Sequence, residues 1–189
     1  QIGLVDILRA LDIEPDGIIG HSTGELGCAY ADGCMTAEET IMTAYMRGRA
    51  AVETELPDGM MAAIGLGYSS VRDRLPHDVD VACHNSANNC TVSGPTASVM
   101  EFVDRLKSEG VFAKAVSAGN ISFHSRYIQP AAPTLLRLLR KGSATKRNTR
   151  KPCRNQVWRE DGGSIYDPLL TASLIFLILL TLLIAFKAR

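Results

Sequence analysis

The sequence predicts an α/β protein. It combines a serine-bearing core segment, a smaller unit of alternating strands and helices, and an apolar helix at the C-terminus. Three observations carry this. A short apolar run, Gly17-Ile18-Ile19-Gly20, leads into a glycine-flanked serine with helical patterns on either side. From Met60 onward, short strands and helices alternate. Residues 169–186 contain no charged side chain.

The elements follow in order. Ile2, Leu4, Val5, Ile7, Leu8 and Leu11 recur at helical spacing, and Pro15 and Gly17 end that pattern. Residues 17–20 read as a fully buried strand. A second helix starts after Ser22 and runs through Tyr30. Thr36 followed by Glu39 is a capping box that opens a third helix over about residues 37–55. Strands are expected at 60–65, 79–84, 90–93 and 112–116, with helices at 69–75 and 97–108. In the second of these helices Val99, Phe102, Val103 and Leu106 share one stripe. The order β-α-β-β-α-β is the ferredoxin-like unit. The expected organisation is therefore a core segment (1–59), a ferredoxin-like subdomain (60–118), a return to the core (119–141), a basic linker (142–168) and a candidate transmembrane helix (169–186).

With 189 residues, 46% of them hydrophobic and 21% charged, the chain is ordinary globular protein. Twenty basic residues balance twenty acidic ones, so nothing global points to nucleic acid. The positive charge is uneven, with nine Lys or Arg between Arg137 and Arg159. Residues 169–186 would span about 27 Å as a helix, close to the apolar thickness of a bilayer. The basic stretch before that helix would keep the preceding domain in the cytosol. Five cysteines without a C-x-x-C pair read as buried apolar residues in a reducing compartment, not as a disulfide framework or zinc site, and no metal is expected. Position 1 is Gln and no secretory pattern follows, which predicts a start inside something longer.

Gly20-His21-Ser22-Thr23-Gly24 fits G-x-S-x-G, a nucleophile elbow that presents a serine on a sharp strand-to-helix turn. A Cβ at the flanking glycines would meet neighbouring backbone. The amides at the start of the following helix would face a developing oxyanion. The competing reading is a glycine-rich turn with a capping serine. A serine nucleophile needs a base, and there are four histidines. His21 is locked beside the serine, His77 follows Pro76 in a loop, and His84 ends a strand. His124 lies where the chain leaves the small unit, so it is a candidate alongside a plain structural role.

Stretches along residues 1 to about 141 resemble the malonyl/acetyltransferase domain of animal type I fatty acid synthase. They include Asp16-Gly17-Ile18-Ile19-Gly20-His21-Ser22, Ala29-Tyr30-Ala31-Asp32-Gly33-Cys34 and Tyr45-Met46-Arg47-Gly48. Cys83-His84-Asn85-Ser86, Gly110-Val111-Phe112-Ala113-Lys114 and Phe123-His124-Ser125 continue the likeness in order. That resemblance implies an α/β-hydrolase-like acyltransferase core, of which this chain holds part, with a ferredoxin-like insert. It implies Ser22 as nucleophile, His124 as base, Arg47 as the group that binds the malonate carboxylate, and the Thr23 amide as an oxyanion donor. His21, Phe123 and Asn85 fall near the pocket, although a turn-forming role suits Asn85 equally. Without the resemblance, Arg47 reads as a solvated helix residue like Arg49.

The implied activity moves malonyl or acetyl from coenzyme A to an acyl carrier protein through an acyl-serine, as part of fatty acid synthesis. No permanently bound cofactor is expected. Coenzyme A thioesters are the substrates and the carrier's phosphopantetheine is the acceptor. A cytoplasmic location follows, with membrane anchoring through residues 169–186 if that helix inserts. The rivals are a serine hydrolase of esters or thioesters and an inactive, membrane-tethered remnant.

Overall fold

The computed structural model describes residues 1–15 and 17–142, which fall into two compact units. One comprises Gln1–Arg49 and the segment from Leu135 onward; the other is Ala50–Thr134.

In the first unit, α1 (Ile2–Ala10), α2 (Gly24–Ala31), most of α3 (Ala37–Glu53) and most of α6 (Ala132–Gly142) carry the structure. The end of α1 is closed by Asp12 at φ 54, with the Asp12 amide bonded to the Arg9 carbonyl and the Ile13 amide to that of Leu8. The α1 helix is fastened to α2 mainly through polar contacts. Arg9 donates to the carbonyls of Tyr30 and Ala31, each at 3.1 Å, and its guanidinium lies 4.8 Å from the Tyr30 ring centroid. The Tyr30 hydroxyl donates to Asp6. A cation at the last carbonyls of α2 also suits the helix dipole. The expected capping box opens α3. The Thr36 amide donates to Glu39 at 2.9 Å, and the Glu39 amide donates to the Thr36 hydroxyl at 3.2 Å.

Residues 17–20 do not form the expected buried strand. A parallel strand needs hydrogen-bonded neighbours, and among the described residues every strand belongs to the sheet of the other unit. Ile18 and Ile19 are only half-buried. The helix expected from Ile2 onward does form, and on it Leu4 is 68% exposed, with Leu11 just past its end 63% exposed.

The second unit has the expected ferredoxin-like order. Its elements are β1 (Gly59–Ile64), α4 (Tyr68–Val71), β2 (Asp80–Ser86), β3 (Asn89–Pro95), α5 (Thr96–Ser108) and β4 (Ala113–Val116). The strands lie in the order β2-β3-β1-β4, and each pairing is antiparallel. Ala87 and Asn88 make the turn between β2 and β3. Val99, Phe102, Val103 and Leu106 are the buried face of α5, packed with Ala62 and Ile64 of β1 and Val92 of β3. A 3-10 turn, Arg126–Ala131, leads into α6.

Cys28, Cys83 and Cys90 are buried free thiols, as expected. The expected apolar helix at 169–186 lies outside the described residues. Among the described residues no helix is long and apolar enough to cross a membrane.

Phe102 is 1% exposed at the centre of this core, so Phe102→Ala should cost about 3–5 kcal/mol. Val52, 82% exposed on α3, should tolerate Ala within about 0.5 kcal/mol. Urea unfolding of the two variants distinguishes them, and equal losses would contradict the packing described here.

Candidate active site

Ser22 sits on the turn that starts α2, and its backbone is left-handed at φ 54. For a residue with a Cβ this conformation costs on the order of 1–3 kcal/mol and persists only where the surroundings impose it. The surroundings are visible. A Cβ on Gly20 would overlap the Gly24 carbonyl and lie 2.6 Å from the Cys28 sulfur. Glycine at position 20 is what lets the incoming chain pass this close to the helix start. The turn is tied by the Gly24 amide to the His21 carbonyl at 2.9 Å and by the Glu25 amide to the Ser22 carbonyl at 3.1 Å. The Leu26 amide reaches the Thr23 carbonyl at 3.3 Å. The Thr23 amide donates to no backbone carbonyl among the described residues. Thr23 is the N-cap of α2, so its amide lies at the positive end of that helix next to Ser22. Ser22 is half-buried and His21 is exposed.

Arg47 lies on α3 in the same unit. Residue pattern alone does not separate it from Arg49; only the resemblance does, and the structure gives the two different surroundings. Arg49 is exposed, bonded to the Tyr45 hydroxyl at 3.1 Å and stacked near the Tyr45 ring. Arg47 is half-buried, and burial pulls its guanidinium below the ordinary arginine range. A partly desolvated guanidinium gains strongly from a carboxylate that it can grip with two parallel bonds.

His124 and Phe123 belong to the second unit, in the segment after β4, and both are half-buried. His124 is left-handed at φ 59, and so is Asn120 at φ 60. His77 and His84 are exposed, and the His84 ring lies against Tyr68 with centroids 5.8 Å apart. Asn85 is committed within its own hairpin, donating to Asn89 at 2.9 Å and to Thr91 at 3.1 Å. Those bonds favour the turn-forming role over a pocket role. His21, Ser22, Thr23 and Arg47 thus share one unit, whereas Asn85, Phe123 and His124 are carried by the other.

One group went unnoticed in the sequence. Glu25, in the first turn of α2, has a buried carboxylate oxygen without a hydrogen-bond partner, and burial raises its pKa to about 7. Its position beside Gly24 was plain, but only the packing shows its desolvation. Among the described residues no cluster of His, Cys, Asp or Glu could hold a metal ion.

An α/β protein is the class that this fold defines, with Ser22 in left-handed backbone at the start of a helix. The chain belongs to the acyl transferase domain family, which matches residues 1–156. It is 34% identical over 172 residues to "Polyketide synthase 19" of Gibberella fujikuroi, an alignment covering 87% of this chain but 7% of that protein. Among solved structures, the acyltransferase domain of an iterative polyketide synthase of enediyne biosynthesis shares the fold. Its TM-score is 0.74 at 22% identity, over 93% of this chain and 46% of the other. A malonyl CoA-acyl carrier protein transacylase from Burkholderia pseudomallei also shares it, with a TM-score of 0.66 at 22% identity, over 74% of this chain and 50% of the other. Of these three, two are polyketide synthases or their domains and one is a transacylase, and none is an animal fatty acid synthase, so the narrower likeness to that protein does not hold.

Glu25 supplies a pH test. Its carboxyl holds its proton more tightly when folded, so its contribution to stability is greatest below the unfolded value of 4.5 and falls as pH rises to about 7. Glu25→Gln should therefore match the parent near pH 4.5 and be more stable above pH 7. The gap should be about 2 kcal/mol, less than the full shift implies because the residue is only half-buried. A constant difference in urea midpoint across that range would remove the buried carboxyl from this account.

Proposed function

We propose that this chain transfers malonyl or acetyl groups from coenzyme A to the phosphopantetheine thiol of an acyl carrier protein. The observation that carries the reading is the backbone of Ser22, left-handed at φ 54 against Gly20 and Gly24 at the start of α2. A capping serine in an ordinary glycine-rich turn needs no such strain.

The Ser22 hydroxyl oxygen attacks the thioester carbonyl while His124 takes its proton, and the Thr23 amide faces the oxyanion. Collapse of the tetrahedral intermediate breaks the carbon–sulfur bond. Coenzyme A leaves as the thiol, with its proton returned from His124, and the acyl group remains on Ser22. The carrier's thiol then attacks the ester by the same steps in reverse, and Ser22 regains its proton. Arg47 holds the free carboxylate of malonate. Its burial also bears on the rival hydrolase reading, because a hydrolase of neutral esters has no use for a desolvated guanidinium. The polyketide synthases among its relatives favour a polyketide assembly line over the fatty acid synthase suggested by the motifs.

Brief exposure to malonyl-coenzyme A should leave a base-labile acyl adduct on Ser22, visible by intact mass and absent in Ser22→Ala. An adduct on a cysteine instead would sink the assignment.

Arg47→Ala should impair malonyl transfer far more than acetyl transfer, since only malonyl has a carboxylate to pair. Loss of a sheltered bidentate contact is worth about 2–4 kcal/mol, or roughly 30- to 1000-fold in kcat/KM. Equal losses for the two acyl groups would make Arg47 a structural residue.

A further inference from the structure

The segment bearing His124 is held to the sheet of its own unit on both sides of the histidine. Upstream, Ser122 is 3% exposed and donates to the Gly94 carbonyl at 2.8 Å. The Gly59 amide donates to the Asn120 carbonyl at 2.9 Å, and a Cβ on Gly59 would collide with the Ser122 hydroxyl. Downstream, one carboxylate takes several bonds from a single residue. Asp80, the first residue of β2, accepts from the Arg126 backbone amide at 2.9 Å and from Arg126 Nε at 3.0 and 3.1 Å. It also accepts from Nη2 of the same guanidinium. Tyr127 adds a bond from its hydroxyl to the Asp78 carbonyl at 2.9 Å. Between these anchors Ser125 donates to the Ser122 carbonyl at 2.6 Å and accepts from the Tyr127 amide at 3.3 Å.

An ion pair on the surface contributes little by itself, but this one differs in two respects. Its acid is mostly sheltered, with the Asp80 side chain 22% exposed against 54% for Arg126. It also fixes main chain, because one of its bonds goes to an amide two residues from His124. Burial alone would raise the Asp80 carboxyl, yet the Arg126 contacts outweigh it and hold the group below the usual carboxylate range. Left-handed backbone at a non-glycine residue persists only where its surroundings over-determine it, and the Asp80 contacts are among those surroundings.

We propose that Asp80 is a positioning residue for acyl transfer: by gripping Arg126 through both backbone and side chain, it holds the strained loop that presents His124. The proposal rests on the acyl-transfer reading above. Asp80 acts through Arg126, and its role is in the placement of the base.

The test uses the complete polypeptide and single-turnover acylation by malonyl-coenzyme A, with each rate constant normalised to the fraction of Ser22 that can be acylated. Asp80→Ala should slow acylation about 10- to 100-fold, the penalty expected when a catalytic group drifts by about 1 Å. KM should stay within about twofold. Asp80→Asn, which keeps an acceptor for the amide, should lose less, and it carries the test if the alanine variant does not fold. Arg126→Ala, which keeps the amide, should also lose less. A lower melting temperature or a smaller acylatable fraction at an unchanged rate constant would overturn the proposal, leaving Asp80 a stabilising residue only. His124→Ala separates the two readings. If that variant acylates normally, the acyl-transfer reading itself fails; if it is slow while Asp80→Ala is normal, only the role of Asp80 is lost.

Discussion

The elbow depends on how closely the chain can pass the start of α2. Gly20 lies so near Gly24 and Cys28 that any side chain at position 20 would displace one of them. That approach turns the chain within Ser22, sets its left-handed backbone, and leaves the Thr23 amide at the helix terminus. Without it the serine would be a surface residue in a polar turn. With it, the hydroxyl and the positive end of a helix are adjacent by construction.

The same device recurs in the other unit. His124 is also a non-glycine residue in left-handed backbone, and the chain around it is bound to its own sheet by Ser122 on one side and Arg126 on the other. Strained backbone clusters where geometry must be held against relaxation. Here two of the four such non-glycine residues, Ser22 and His124, are those to which the proposed mechanism assigns nucleophile and base, beside Asp12 at a helix end and Asn120 in the His124 segment. Ser22 and His124 are each restrained by contacts within their own unit.

Burial differentiates the charged groups. Arg47 and Arg49 sit on one helix two positions apart, yet one is partly desolvated and the other stacks on an exposed tyrosine. Glu25 and Asp80 are both partly sheltered carboxylates with opposite outcomes. Glu25 has an oxygen with no partner and is pushed toward the neutral acid, whereas Asp80 takes several bonds from Arg126 and stays ionised. Desolvation and pairing act against each other, and the available donor decides which prevails.

The sequence by itself determined what depends on local pattern. The Thr36–Glu39 capping box, the Val99–Phe102–Val103–Leu106 stripe and the βαββαβ order all reappear in the structure, because propensity, capping and periodicity act over a few residues. The tight approach at Gly20 was legible in the motif, whereas a Cβ on Gly24, expected to meet backbone too, would meet only the Gln1 side chain at 3.6 Å. Residues 17–20 failed as a strand because strand pairing is a property of neighbours, and no local pattern guarantees them. Periodicity likewise placed the α1 helix and its apolar side, but not what packs against that side, where Leu4 and Leu11 are exposed. Only the tertiary structure showed the partly desolvated setting of Arg47, gave Asn85 its hairpin partners, exposed the buried carboxyl of Glu25 and brought Asp80 to Arg126 across 46 residues of chain. Each of these depends on desolvation or on contacts distant in sequence, which the fold alone decides.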